Sequence, residues 1–288
     1  MPAARYEAPR SIQRAVALLQ ADPGAAILAG GTDLLIQFRA GVKRPTAFVD
    51  VKLIPDLIGI TIGATDTRIG AATCAADICE HSELRRLWPG VVDAVHLIGS
   101  TQIQARCTIG GNLCNGSPAA DATCALIVNR AECVIVGPAG ERRVAVEQFC
   151  VAPHKTVLRR DELLVALRLP RPAARTGDAY LRLIPRSEMD IAAASAGASV
   201  TLDADGVCTA ARIAIGAVAP TSLLVPEAAE AVIGSRLDRT SLARAAAAAT
   251  AAAHPIDDRR GTIAYRRRVV GVLTSRALSI AYTRAKER

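Results

Sequence analysis

The chain has 288 residues, 51% of them hydrophobic, and Lys plus Arg exceed Asp plus Glu by eight. That length suits two domains better than one and leaves apolar side chain for a core in each. Aromatics make up only 3%, too few for the stacking platforms that grip single-stranded nucleic acid, and no run reaches the ~18 uncharged apolar residues of a membrane span.

At the amino terminus Arg5, Glu7, Arg10 and Arg14 interrupt any signal-peptide core, which predicts a cytoplasmic protein. Ser11 is placed to cap a helix with Ile12, Ala15, Val16 and Leu19 on one face. "ADPGA" breaks the chain, and the strand AILA runs into "AGGTDLL", residues 29 to 35, followed by a short helix, Leu34 to Arg39, that Gly41 ends. "TAFVDV", "LIGITI" and "TRIGA" follow as strands, and Ala75 to Leu84 and Val91 to Ile98 as amphipathic segments.

A second glycine segment, "CTIGGNLCNGSPAAD", spans residues 107 to 121 and adds Thr108, Asn112, Asn115, Ser117 and Asp121 to its Gly-Gly pair. Each pair either makes a tight turn or, lacking Cβ atoms, lets main-chain N–H groups approach an anion beside a helix N-terminus. Two such segments flanked by hydroxyls and amides favour the second reading, with one diphosphate between them. Cys107, Cys114, Cys124 and Cys133 bring four thiols into this region, at spacings too wide for a compact iron–sulfur loop. With no CxxC pair in the chain, neither a disulfide scaffold nor a zinc knuckle is expected.

Residues 167 to 180, "LRLPRPAARTGDAY", resemble a linker. Beyond it "MDIAAASAGASVTL" and "CTAARIAIGAVAP" form paired strands turned by "DADG", and helices follow at about 226 to 234, 240 to 253 and 261 to 284. The basic runs "DDRRGTIAYRRR" and "RAKER" fall on the last helix, which is then solvated or faces a partner. There is no GxGxxG, P-loop, GxSxG or HExxH motif, and His81, His96, His154 and His254 are scattered. A cofactor cradle stands without an acid–base pair.

"AGGTDLL", "TIGGNLCNGSPAAD", "RSEMDIA" and "YRRRVVGVLTSRAL", in this order, resemble the FAD-binding medium subunit of the molybdenum hydroxylases, the xanthine dehydrogenase and carbon monoxide dehydrogenase family. The resemblance implies an α+β chain: a two-part FAD domain of the vanillyl-alcohol-oxidase (PCMH) type over 1–172 (subdomains about 1–55 and 56–172), then a smaller domain over 173–288 with a three-stranded antiparallel sheet and helices. Carried over by position, it puts Leu28, Ala29, Gly30, Gly31, Thr32, Asp33 and Leu34 around the FAD pyrophosphate and nearby ribose. Thr108, Gly110, Gly111, Asn112, Asn115 and Ser117 form the second loop, and Asp121 bonds a sugar hydroxyl. Ile98 and Leu163 become apolar flavin contacts, and Arg182 stands where the family commonly has a lysine near the isoalloxazine.

The implied partners are a small subunit with two [2Fe–2S] clusters and a large subunit with the molybdopterin cofactor, in a dimer of heterotrimers that passes electrons to NAD, a quinone or oxygen. Thr32 and Asp33 lean toward an aromatic or N-heterocyclic substrate, because the carbon monoxide branch tends to carry histidine and serine there. Ala119 to Val134 lacks the inserted cluster loop of the 4-hydroxybenzoyl-CoA reductase branch. A stand-alone flavin reductase and a flavin-free assembly subunit are the readings of another class.

Overall fold

The structure is a computed structural model that describes residues 4–288. Near the amino terminus three short parallel strands, ordered Arg5–Glu7, Ala47–Asp50 and Ala26–Leu28, form a small sheet. The helix Ile12–Ala21 covers it, and the Ser11 side chain accepts from the Arg14 N–H, as its residue type leads one to expect at that position. Ala15, Leu19, Val49, Val51 and Ile54 pack with Leu163 and Val165 of the next sheet, so the two sheets share a core.

That second sheet has five antiparallel strands in the order Ile60–Ile62, Asp66–Gly70, Leu163–Pro170, Glu132–Gly137 and Gly140–Ala145. Its central strand comes late in the chain, so residues 71–131 return as a helical layer and bury the largest core, around Trp88, Phe149, Leu113 and Leu126. The amphipathic segment expected over Ala75 to Leu84 is two helices, Ala75–Glu80 and Ser82–Leu87. His81 divides them, its ring nitrogen accepting from the Leu84 N–H at 3.2 Å.

The linker is shorter than the prolines and glycine suggest. Strands Leu163–Pro170 and Thr176–Leu183 absorb both ends of the expected 167–180 stretch and leave residues 171–175 as the connection. The following antiparallel sheet has four strands, not three: Thr176–Leu183, Ala194–Leu202, Cys208–Gly216 and Leu223–Leu224. The fourth has two residues, too few to display an alternation of side chains.

One face of this sheet, with Ala194, Ala196, Ala198 and Val200, packs on the helix Ile263–Lys286 through Val270, Leu273 and Ala277. The opposite face meets the first region: a Cβ on Gly197 would lie 2.9 Å from the Cys124 carbonyl of the helix Asp121–Val128. Small residues are therefore required on both faces, and the alanine-rich composition has a packing cause.

Among the carboxy-terminal cations Arg259, Arg267, Arg268 and Lys286 are exposed, while others bond within the fold. Arg266, 3% exposed, donates to the carbonyls of Ala193 and Ala217 and pairs with Asp258. Arg284 reaches Asp93 at 2.7 Å and the Asp178 carbonyl at 2.8 Å, and Arg288 donates to the carbonyls of Leu87 and Thr176. The end of the last helix thus clasps the first region. No helix among the described residues is long and apolar enough to cross a membrane.

Candidate functional site

The two glycine segments meet at the junction of the small parallel sheet and the five-stranded sheet. The strand Ala26–Leu28 ends, Gly31 takes a left-handed φ of +77°, and the helix Leu34–Arg39 begins. This is the strand, turn and helix order that "AGGTDLL" predicts. A Cβ on Gly30 would fall 2.1 Å from the carbonyl oxygen of Arg106, and one on Gly110 would fall 2.5 Å from that of Ala71. The glycines therefore let three backbone stretches, near residues 30, 71 and 106–111, stack in direct contact.

Between them opens a cleft of about 1070 Å³, its open mouth included, walled by Ala29 to Leu34 on one side and by Thr108, Gly110, Gly111, Asn112 and Asn115 on the other. Val51, Leu57, Leu163, Leu164, Leu158 and Ile98 supply its apolar lining. The apolar lining with a few polar groups is that of a cofactor site.

The two segments differ in what they offer. Among the described residues, no protein group accepts from the N–H groups of Gly30, Gly31, Thr32, Asp33 or Leu34; the ladder of the following helix starts with Leu35 donating to the Gly31 carbonyl. The second segment is a capped helix, Ile109–Cys114. The Gly111 N–H donates to the Thr108 hydroxyl, and the Ile109 and Gly110 N–H groups donate to the carbonyls of Thr73 and Ala71. Its main-chain donors are spent within the protein, and it brings the side chains of Thr108, Asn112 and Asn115 to the cleft.

Gln37 and Lys43, which sequence reasoning did not single out, also line the cleft. Gln37 bridges the segments by donating to Asn115 Oδ1 at 3.3 Å, and its own Oε1 is buried without a partner. The signal was available: Gln37 is the one polar residue within the apolar helix "LLIQF". Burial pushes the Asp33 carboxyl above its ordinary value, with the charges of His154 and Lys43 acting against the shift.

Leu28, Ser117, Asp121 and Arg182 lie off the cleft wall. Leu28 ends its strand beneath Gly31, and Ser117 accepts from the Ala119 N–H in the turn before the helix Asp121–Val128. Asp121 is buried and receives Arg182 Nη1 at 2.7 Å, with the Tyr180 hydroxyl at 3.4 Å. Burial raises its pKa to about 6 despite the guanidinium. The carboxylate is committed to a partner 61 residues away in the neighbouring strand.

The cysteines are free thiols. Burial pushes Cys107 and Cys124 up to about 11 and Cys114 to about 12, so they are poor nucleophiles.

The donor set fits FAD: free main-chain N–H groups and Lys43 for a diphosphate, hydroxyl and amide side chains for a ribityl or ribose, and an apolar floor for a ring system. Comparison with known proteins decides the family. Residues 2–172 match the FAD binding domain in molybdopterin dehydrogenase, and residues 179–281 match the CO dehydrogenase flavoprotein C-terminal domain. The chain belongs to the FAD-binding medium subunits of the molybdenum hydroxylases.

As a member of this family it is a subunit of an oxidoreductase. It is 36% identical to the carbon monoxide dehydrogenase medium chain of Afipia carboxidovorans, an alignment covering 98% of this chain and 97% of that one. It is 31% identical to the xanthine dehydrogenase FAD-binding subunit of Escherichia coli O157:H7, again over 98% and 97%. The solved carbon monoxide dehydrogenase of Hydrogenophaga pseudoflava, in a form lacking the Mo-pyranopterin moiety of its molybdenum cofactor, superposes with a TM-score of 0.94 at 34% identity, covering 98% of each chain. Whole-chain identity is thus higher to the carbon monoxide chain than to the xanthine chain, the reverse of the lean that Thr32 and Asp33 give.

Proposed function

We propose that this medium subunit holds FAD in the cleft between its glycine segments and relays electrons from [2Fe–2S] clusters of a small partner to an external acceptor. The reading is carried by the unpartnered N–H groups of Gly30 to Leu34 on the wall of a cleft with an apolar floor. FAD supplies the electron carriage itself; the protein binds, orients and tunes it, and a local acid–base pair is not needed.

In this reading the N–H groups of Gly30 to Leu34, backed by Lys43, hold the diphosphate. Thr108, whose oxygen already accepts from Gly111, keeps its hydroxyl proton to donate, and Asn112, Asn115 and Gln37 complete the polar wall. Ile98 and Leu163 bound the ring system. Leu28, Ser117 and the Asp121–Arg182 pair support the wall from behind. The functional division falls at about residue 172, with a flavin-binding part over 1–172 and a second domain over 173–288.

A large molybdenum-cofactor subunit and a small iron–sulfur subunit complete the assembly, in the cytoplasm, with NAD, a quinone or oxygen as acceptor. Thr32 and Asp33 favour an aromatic or N-heterocyclic substrate; the 36% identity to a carbon monoxide chain is the observation that keeps carbon monoxide as the second reading. The test is purification of the chain with whatever accompanies it. The expected result is a yellow-brown complex with a small iron–sulfur and a large molybdenum chain, whose flavin is bleached by an N-heterocycle such as quinoline or xanthine. Bleaching by carbon monoxide gas instead selects the second reading, and a colourless chain that takes up no FAD on dialysis rejects both.

A further inference from the structure

Lys52 has no role in the reading above, yet its side chain touches the first glycine segment. It follows the strand Ala47–Asp50 and is three-quarters buried, and its Nζ donates to the Ala29 carbonyl at 2.8 Å and to Asp50 Oδ1 at 2.7 Å. Asp50 is itself buried, receives the Lys52 N–H at 2.9 Å on the same oxygen, and receives the Tyr6 hydroxyl at 2.6 Å on the other. Burial works against ionisation of Asp50, but the donors from Lys52 and Tyr6 more than offset it and hold the carboxyl below its ordinary range. The three side chains thus form an ordered, charged relay that ends on a main-chain carbonyl of the cleft wall.

The peptide unit gives this contact its consequence. A trans peptide is planar, with its C=O and N–H pointing in opposite directions. The carbonyl that Lys52 holds belongs to Ala29 and shares its plane with the Gly30 N–H, which has no protein acceptor among the described residues. Ala29 and Gly30 both line the cleft, and Arg106 blocks Gly30 from behind. An ammonium on the carbonyl oxygen also draws electron density through the amide and makes the N–H a stronger donor.

We propose that Lys52, held by Asp50 and Tyr6, is a positioning residue for the anion: it locks the Ala29–Gly30 peptide so that the Gly30 N–H faces the diphosphate. The proposal rests on the FAD reading and deepens it. It assigns Lys52 no direct contact with the cofactor.

The experiment uses the full-length chain stripped of flavin, titrated with FAD, with ADP as a diphosphate without flavin, and with riboflavin as a flavin without phosphate. In Lys52→Met the dissociation constants for FAD and ADP rise roughly tenfold, as for loss of one hydrogen bond to a charged group, while that for riboflavin stays at the wild-type value; Lys52→Arg, which keeps a cation on the carbonyl, recovers most of the loss. Equal weakening of all three ligands marks a merely structural residue and overturns the proposal, as does unchanged FAD affinity. Should Lys52→Met fail to fold, Tyr6→Phe loosens the relay from its exposed end: a severalfold loss for FAD and ADP with riboflavin unchanged supports the role, and no change sinks it. Wild-type protein that takes up no FAD refutes the functional reading itself, a result distinct from wild-type uptake that Lys52→Met leaves untouched.

Discussion

Gly30→Ala tests whether the contact between the two glycine segments builds the cleft. The added Cβ would stand 2.1 Å from the Arg106 carbonyl oxygen, 2.9 Å from its carbon and 2.9 Å from Cys107 Cα. Non-bonded carbon contacts settle at about 3.5–4.0 Å, so the segments must part by more than roughly 1 Å. All three neighbours are backbone, and no rotamer change relieves the clash. Overpacking of this kind costs about 1–3 kcal/mol, and rigid neighbours put this site at the upper end, a fall in Tm of about 5–10 °C for a chain of this size.

The assay pairs thermal melting followed by circular dichroism with the flavin-to-protein absorbance ratio after gel filtration. Gly30→Ala should melt lower and retain little flavin, because parting the walls by that distance misaligns the N–H groups of Gly31 to Leu34. Gly140→Ala is the control: its φ is +101° but nothing lies within 4 Å of the added Cβ, so it loses backbone stability and keeps its flavin. A Gly30→Ala protein with wild-type melting and full flavin content refutes the reasoning.

Gly111→Val should also empty the site, by a different route. Its Cβ would lie 2.7 Å from Thr108 Oγ1, so it displaces the capping hydroxyl; loss of such a cap costs about 1 kcal/mol, and the expected outcome is low flavin content with native circular dichroism, which undiminished flavin would contradict. The Asp121–Arg182 pair predicts a pH dependence of stability. The folded pKa of Asp121, about 6, lies above its ordinary 3.8 because burial disfavours the charged form, so between these values the folded chain binds more protons than the unfolded one and stability falls as pH rises. Urea unfolding from pH 4 to 7 should show that decline, and Asp121→Asn should flatten it; an unchanged slope in the variant rejects the assignment.

How far the sequence revealed this molecule depends on where each hydrogen-bond partner comes from. The first glycine segment was legible because its geometry is local: an apolar strand, a left-handed Gly31 and a short apolar helix sit within fifteen residues. The second carries the same Gly-Gly signature, and composition alone assigns it the same cradle. What separates them is tertiary. The carbonyls of Ala71 and Thr73 accept the N–H groups of Gly110 and Ile109, and nothing near residue 110 announces partners almost forty residues upstream.

Arg182 and Asp121 follow the same rule. Each is a lone polar residue in an apolar stretch, and only the strand Thr176–Leu183 laid over the helix Asp121–Val128 shows that they pair with one another. At the basic carboxy terminus Arg259, Arg267, Arg268 and Lys286 are exposed, as a solvated helix requires, but composition does not show that Arg284 and Arg288 reach Asp93, Asp178 and the carbonyls of Leu87 and Thr176. Lys52 is the converse case. Two residues from Asp50, it resembles a surface ion pair worth little, and only the parallel pairing of Ala47–Asp50 with Ala26–Leu28 brings its ammonium to the Ala29 carbonyl. Residues that bind can be marked by type and spacing; residues that hold the binding groups in place are marked by topology.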